Sequence, residues 1–122
     1  MAQHLDLGRA GEALAKTHLE SSGYKILDEN WTHGKAEIDL IAYKDRVIIF
    51  TEVKTRTGSG FGMPEDFVDA RKQKLLANAA DEYIYLMNHQ GDVRFDIIAI
   101  LFDKDKNYTL NHIEDAFWPT GT

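Results

Sequence analysis

Residues 36–56 read AEIDLIAYKDRVIIFTEVKTR, and this stretch decides the fold. Two apolar segments, 36–43 and 47–56, flank a polar turn at Lys44 and Asp45. This arrangement predicts two antiparallel β-strands joined by a tight turn. Residues 47–53, and later 97–102, are apolar at both odd and even positions. Strands of that kind are buried on both faces, so we expect helices on both sides of the sheet.

Three charged side chains lie inside this predicted hairpin, namely Asp39, Glu52 and Lys54. A charge buried there costs several kcal/mol unless it is paired or bound to a metal ion. With residues 44 and 45 at the centre of the turn, Asp39 is expected opposite Phe50, with Glu52 diagonally across on the same face. Because side chains alternate along a strand, Lys54 shares that face. The pattern therefore predicts two carboxylates and one amine at one end of an apolar face.

Two carboxylates that converge repel each other unless a cation neutralises them. Oxygen ligands of this kind suit Mg²⁺ or Mn²⁺. The amine of Lys54 could orient a water molecule or stabilise developing negative charge. A metal ion, a water and a lysine beside a phosphate are the components of phosphodiester hydrolysis. The same residues also allow a simpler interpretation, an ion pair between Glu52 and Lys54 at an exposed strand end.

The remaining segments complete a single α/β domain, residues 1–122, with the order α-β-β-β-α-β-β and a central mixed β-sheet flanked by helices. Periodicity and turn residues predict further helices at 6–22 and 69–88 and further strands at 24–31, 93–102 and 108–113. The buried face of the first helix is predicted to contain Ala10, Ala13, Leu14 and Thr17. That of the second is predicted to contain Leu76, Ala79, Ala80, Tyr83, Ile84 and Met87.

The composition restricts the class of protein. The chain contains no cysteine, which excludes disulfides and thiolate zinc sites and favours a reducing, cytoplasmic location. No apolar run approaches the roughly 20 residues that span a bilayer, and the first residues lack the apolar stretch of a signal peptide. We therefore expect a cytoplasmic protein with no membrane partner.

The net charge of −6 argues against nucleic acid as a partner, since phosphate binding usually requires a basic surface. The acidity is unevenly distributed, however. Residues 75–122 contain 3 Lys+Arg and 8 Asp+Glu, whereas residues 51–74 contain 5 and 4. Most of the excess acid therefore lies away from the charged hairpin, and nucleic-acid binding stays open.

Five segments together resemble a known family: GRAGEALA (8–15), GYKILDENW (23–31), AEIDLIA (36–42), FTEVKTR (50–56) and RFDIIAI (94–100). The I-D and E-V-K elements resemble the PD-(D/E)xK nuclease motif, and the whole set resembles the YraN-like family of bacterial endonucleases. That family is similar to archaeal Holliday-junction resolvases. The resemblance implies a restriction-endonuclease-like fold and Mg²⁺-dependent cleavage of DNA, with branched DNA among the substrates. Related resolvases form pairs, so the resemblance also implies a homodimer.

The resemblance implies a role for each matching residue. Asp39 and Glu52 match the metal-binding acids, Lys54 matches the catalytic lysine, and the main-chain carbonyl of Val53 matches a further metal ligand. Glu12 matches an acid on the first helix that completes the metal site and assists catalysis. The alternative for Glu12 is an exposed acid near the positive end of that helix.

The best candidates for nucleic-acid contacts are Arg9, Arg56, Lys72 and Gln73. Arg56 follows Lys54 by two residues and is expected to point the same way. Lys72 and Gln73 precede the apolar face of the second predicted helix. Ordinary surface polarity is the competing interpretation for all four.

Two hypotheses for function follow. The first is an Mg²⁺- or Mn²⁺-dependent endonuclease that hydrolyses DNA, including branched or structured DNA. The second is a nuclease-fold module that binds nucleic acid or a protein partner without turnover. The acidic net charge favours the second, and the retention of two acids and a lysine favours the first.

Overall fold

The computed structural model describes residues 7–58 and 68–118. Those residues form the predicted order α-β-β-β-α-β-β, with bounds within two residues of the predicted ones. The elements are α1 (Leu7–Ser21), β1 (Lys25–His33), β2 (Ala36–Lys44), β3 (Val47–Thr57), α2 (Ala70–Met87), β4 (Asp92–Phe102) and β5 (Tyr108–Ile113). The segment between β3 and α2 lies largely outside the described residues. Neither helix in the described part of the chain is long and apolar enough to cross a membrane.

The strands form one mixed sheet in the order β1-β2-β3-β4-β5. All neighbours are antiparallel except β3 and β4, which run parallel. Parallel neighbours require a crossover connection, and α2 lies within it. The α/β fold with a mixed central sheet is therefore confirmed.

Helices cover both faces of the sheet, as the two-sided apolar strands predict. One core packs α2, through Leu76, Ala79, Ala80 and Tyr83, on strand residues that include Ile41 and Phe50. The other packs Ala15 and Leu19 of α1 on residues that include Leu40, Ile49 and Ile98. We call these the α2 side and the α1 side of the sheet.

The face that α1 buries differs from the predicted one. The buried residues are Gly11, Ala15 and Leu19, whereas three of the four predicted residues are exposed and Leu14 is half-buried. A Cβ atom at position 11 would lie 2.0 Å from the Oγ1 atom of Thr55. The helix thus approaches β3 through a residue without a side chain. Close backbone packing, rather than the apolar stripe alone, sets its rotation. The buried face of α2 is confirmed except at its end, where Ile84 is half-buried and Met87 is exposed.

The turn between β2 and β3 also differs by one residue. Asp45 and Arg46 have φ angles of 52° and 70°, and Lys44 pairs with Val47. A two-residue hairpin turn of type I′ has positive φ at both central positions, so the turn is centred on residues 45 and 46. Ile41 therefore faces Phe50, and the predicted pairing of Asp39 with Phe50 is wrong. The register changes by two, an even number, so the paired residues, 40–44 and 47–51, keep their predicted faces.

The two strands of this hairpin separate near its open end. Their pairing runs from Lys44–Val47 to Leu40–Thr51. Beyond that point residues 36–38 continue to pair with β1, and residues 52–57 continue to pair with β4. Ile38 packs on the α2 side and Leu40 on the α1 side, although alternate residues of a regular strand share a face. We call the opening between residues 36–39 and 52–57 the fork.

Candidate active site

Asp39 lies at the base of the fork. Its Oδ2 atom accepts a hydrogen bond of 2.8 Å from the main-chain N–H of Val53. The regular pairing of β2 with β3 has ended at Leu40 and Thr51, so a side chain now supplies the acceptor for this N–H. The bond holds the Asp39 carboxylate against the segment that carries Glu52 and Lys54.

The environment of Asp39 is short of positive charge. Burial raises the pKa of Asp39, and the carboxylate of Glu52 raises it further, while the hydrogen bond from Val53 lowers it. The carboxylates of Glu12 and Glu37 also raise it, and the result is a pKa of about 7. A carboxyl group normally ionises near pH 4, so the site repels the charge that Asp39 would carry at neutral pH.

Glu52 is the most buried acid of the fork, with 8% of its side chain exposed. Two lysines approach the same carboxylate oxygen, Oε2. The Nζ atom of Lys72 on α2 lies 2.5 Å away, and that of Lys54 lies 3.9 Å away. The structure thus brings Lys54 to the predicted acid and adds Lys72 from α2.

Glu12 lies close to this group without joining it directly. Its Oε1 atom accepts a hydrogen bond of 3.0 Å from the Nδ2 atom of Asn30 in β1. Its carboxylate still contributes to the raised pKa of Asp39. Within residues 7–58 and 68–118, no three acid or histidine side chains are arranged to hold one metal ion together.

The residues present fit a hard divalent cation. Asp39 and Glu52 provide carboxylate oxygens, with neither imidazole nor thiolate beside them in the described part of the fork. Oxygen ligands of this type favour Mg²⁺ or Mn²⁺ over zinc or copper. The raised pKa of Asp39 agrees with this fit, because a cation bound between Asp39 and Glu52 would offset the repulsion between the two carboxylates. Val53, whose carbonyl is the predicted further ligand, lies between Glu52 and Lys54 in β3.

A groove of about 350 Å³ adjoins the fork where α2 begins. Its charged lining residues are Lys35, Glu37, Asp69, Arg71 and Lys72. Lys72 is shared by the groove and the candidate site, since it lines the groove and contacts Glu52. The groove therefore connects the candidate metal ligands with a surface that carries three basic side chains.

The other predicted nucleic-acid contacts are divided between two places. Gln73 donates a hydrogen bond of 3.0 Å to the carbonyl of Val68, so it secures the start of α2. Arg9 and Arg56 are exposed. Because Gly11 of α1 packs on Thr55 of β3, both arginines lie at the same end of the molecule.

A second charged network is buried on the α1 side of the sheet. Asp96 is fully buried and accepts hydrogen bonds from Arg94 at 2.9 Å and His112 at 2.7 Å. His112 in turn contacts His18 at 3.0 Å, and Arg94 donates to the hydroxyl of Tyr24 at 2.7 Å. Arg94 and Asp96 are two residues apart in β4, a spacing that places both side chains on one face of the strand. The two histidines are 94 positions apart in the chain, so no local pattern in the sequence connects them.

Comparison with known proteins agrees with the sequence resemblance at the level of the family. Residues 11–100 match the model of the uncharacterised protein family UPF0102. The chain belongs to this family. The matched segment contains Glu12, Asp39, Glu52, Lys54 and Lys72.

Full-length relatives extend this match over nearly the whole chain. A UPF0102 protein of Flavobacterium psychrophilum is 46% identical over 118 residues, covering 97% of this chain and 98% of its own length. One from Bacteroides thetaiotaomicron is 42% identical over 119 residues and covers 98% of each. One from Chlorobium limicola is 43% identical over 118 residues and covers 92% of each. This UPF0102 chain therefore resembles these relatives in length as well as in sequence.

Proposed function

We propose that this protein is a metal-dependent endonuclease that hydrolyses phosphodiester bonds in DNA. The observation that carries the proposal is the convergence at the fork. Asp39 is held by the N–H of Val53, beside a buried Glu52 whose carboxylate is 3.9 Å from the Lys54 amine. The resemblance of the I-D and E-V-K elements to PD-(D/E)xK nucleases supports the same chemistry.

Each residue of the fork has a role in this reaction. Asp39, Glu52 and the carbonyl of Val53 would hold Mg²⁺ or Mn²⁺, and Glu12 lies near enough to assist through its charge. When bound, such a cation supplies Lewis-acid activation of a phosphate and lowers the pKa of a water ligand. The Lys54 ammonium orients the attacking water and stabilises negative charge on the phosphate as the P–O bond breaks.

The substrate is expected to bind through a few local phosphate contacts rather than through a broadly basic surface. The groove beside α2 offers Lys35, Arg71 and Lys72, and the end of β3 that packs on Gly11 of α1 offers Arg9 and Arg56. The net charge of −6 opposes the approach of DNA, so we expect this binding to be weak. Branched DNA is the substrate that the resemblance to resolvases favours, with two copies of the chain cutting two strands.

A cleavage assay tests this function directly. Purified protein is incubated with Mg²⁺ or Mn²⁺ and with duplex, single-stranded and four-way-junction DNA. Cleavage that requires the cation and disappears in Asp39→Ala is the expected result. Absence of cleavage on all three substrates with either cation contradicts the proposal.

A second candidate is a nuclease-fold module that binds nucleic acid or a protein partner without turnover. One observation favours it, the contact of 2.5 Å between Lys72 and Glu52, because an ammonium already neutralises this acid. Titration with Mn²⁺ in a calorimeter separates the two candidates. Binding that is lost in an Asp39→Ala, Glu52→Ala double variant supports the enzyme, whereas absence of binding to the wild type supports the module.

A further inference from the structure

Lys72 occupies an unusual position for a residue expected only to contact DNA. Its Nζ atom is 2.5 Å from Oε2 of Glu52, which places it closer to that acid than Lys54, at 3.9 Å. The Glu52 side chain is 8% exposed, whereas that of Lys72 is 36% exposed. The ammonium nearest to the buried acid therefore belongs to a partly exposed lysine. Because Lys72 is already in contact with solvent, its ammonium can leave Glu52 and become hydrated.

The charges of the fork are unevenly matched. Glu52 has two lysine partners, yet among the described residues neither a lysine nor an arginine forms an ion pair with Asp39. A divalent cation that bridges Asp39 and Glu52 would have to compete with Lys72 for the oxygen Oε2. A metal ion bound at this oxygen would lie close to the Lys72 ammonium, and repulsion between the two cations disfavours keeping both there.

The backbone of Lys72 is fixed, so any exchange is confined to its side chain. The N–H of Lys72 donates to Oδ1 of Asp69, the N-cap of α2, at 2.9 Å. Val68 is buried, and its carbonyl accepts from Gln73 at 3.0 Å. Beyond this anchor the lysine side chain has a flexible four-carbon stem. The groove of about 350 Å³ that Lys72 also lines contains Lys35 and Arg71 and offers a second position for its ammonium.

We propose that Lys72 is an exchangeable internal cation. Its ammonium neutralises Glu52 in the metal-free protein, is displaced from Glu52 when a divalent cation binds, and then contacts a substrate phosphate in the groove beside α2. This inference rests on the proposed function, since it assigns a partner to the same metal ligands. It goes beyond that function by making metal binding and DNA binding reinforce each other. Binding of either one increases the affinity for the other by the same factor.

The test compares Mn²⁺ binding by calorimetry in the wild type, Lys72→Met and Lys74→Met. Methionine keeps an unbranched side chain of similar length and removes the charge. Lys74 is an exposed lysine of the same helix and serves as the matched control. We expect Lys72→Met to bind Mn²⁺ about fivefold more tightly than the wild type, which corresponds to the loss of one partly exposed ion pair. Lys74→Met is expected to bind as the wild type does.

A second measurement tests whether the Lys72 ammonium contributes to DNA binding when Mn²⁺ is present. Affinity for a fluorescent four-way junction is measured with and without Mn²⁺ in Lys54→Met, in which cleavage is expected to be slow. We expect Mn²⁺ to increase DNA affinity in this background, and to increase it less in Lys54→Met, Lys72→Met. Circular dichroism verifies that each variant is folded, and Lys72→Gln provides the same comparison if Lys72→Met is not.

The outcomes separate this inference from the proposed function. If Lys72→Met binds Mn²⁺ equally or more weakly than the wild type, the exchange is wrong and the metal-dependent nuclease stands. If Lys72→Met binds Mn²⁺ and the wild type does not, Lys72 does occupy the metal position, and the nuclease proposal is contradicted. If neither binds Mn²⁺, both are overturned.

Discussion

The carboxylate of Asp39 and the main-chain N–H of Val53 are joined by a hydrogen bond of 2.8 Å across the fork between β2 and β3. One side chain therefore closes the end of a β-ladder and also faces the acids of the candidate metal site. The hydrogen bond from Val53 favours the ionised form of Asp39, because an anion accepts a hydrogen bond more strongly. Burial and the neighbouring acid Glu52 favour the protonated form, and they prevail.

This conflict predicts that Asp39→Asn stabilises the metal-free protein at about pH 8 by about 1–2 kcal/mol. The pKa of Asp39 is raised from 3.8 to about 7, so the folded state holds this proton more tightly than the unfolded state does. The stabilisation that comes from protonated Asp39 is fully present below about pH 4 and is lost as the pH rises through about 7. Asparagine keeps an acceptor for Val53 without the charge. Urea unfolding at about pH 8 and about pH 4.5 measures the difference, which should shrink at the lower pH. A less stable Asp39→Asn at the higher pH contradicts the prediction.

Lys54→Met is expected to reduce DNA cleavage by about 10²- to 10³-fold without weakening Mn²⁺ binding. The lysine is assigned to the water and the phosphate, not to the metal ligands, so the two measurements should separate. Lys74→Met, on the exposed face of α2, is the control and should cleave as the wild type does. Equal cleavage by Lys54→Met and the control would remove Lys54 from the mechanism.

Gly11→Ala is expected to destabilise the protein by about 1–3 kcal/mol, because the added methyl group overpacks the contact between α1 and β3. The new Cβ would lie 2.0 Å from Oγ1 and 3.1 Å from Cβ of Thr55, so rotation of the threonine alone does not make room. Gly8→Ala is the matched control in the same helix, since no atom lies within 4 Å of its added Cβ. That control should be neutral or stabilising by up to about 1 kcal/mol. Thermal unfolding of the two variants measures the difference. If Gly11→Ala is as stable as Gly8→Ala, close packing at Gly11 is contradicted.

Asp96→Ala is expected to cost about 3–5 kcal/mol at neutral pH, because it leaves the partly buried cation of Arg94 without its partner. Burial raises the pKa of Asp96, but hydrogen bonds from His112, Arg94 and the N–H of Asp115 outweigh it, so the pKa is lowered overall. The stabilisation is therefore present above about pH 4 and is lost as the pH falls further.

Urea unfolding of this variant at about pH 7 and about pH 3.5 should show a smaller loss at the acid pH. Asp105→Ala, at an exposed turn, provides the control. A loss that is the same at both values would mean that the charge of Asp96 contributes nothing to stability.

Local patterns in the sequence predicted most of the fold because they report on local structure. Alternation and apolar runs identified every described strand, and the 3.6-residue period identified both helices. The buried face of α1 was not predictable in this way, since glycine adds nothing to a hydrophobic pattern. Gly11 is buried because the absence of a side chain lets α1 pack closely on Thr55. The fork was also missed, because the point at which β2 and β3 separate depends on their other neighbours, β1 and β4.

The candidate site was predictable to the extent that it lies in one hairpin. Asp39, Glu52 and Lys54 occur close together in the chain, and an even change of register keeps the paired residues that lead into the site on their predicted faces. The contact of Lys72 with Glu52 joins residues 20 positions apart, through a connection whose geometry no local pattern specifies. Lys72 was predicted as a phosphate contact, and only the packing of α2 on the sheet places it on the acid.

The hydrogen bond that ends the β2–β3 ladder makes one amide distinct from its neighbours. Deuterium exchange at the N–H of Val53 is governed by a carboxylate that gains a proton near neutrality, whereas the paired amides of β3 are held by main-chain carbonyls. Protonation of Asp39, or its recruitment by another group, changes the acceptor without unfolding the strand. The deuterium-exchange rate of this single amide is therefore expected to change with the protonation of Asp39.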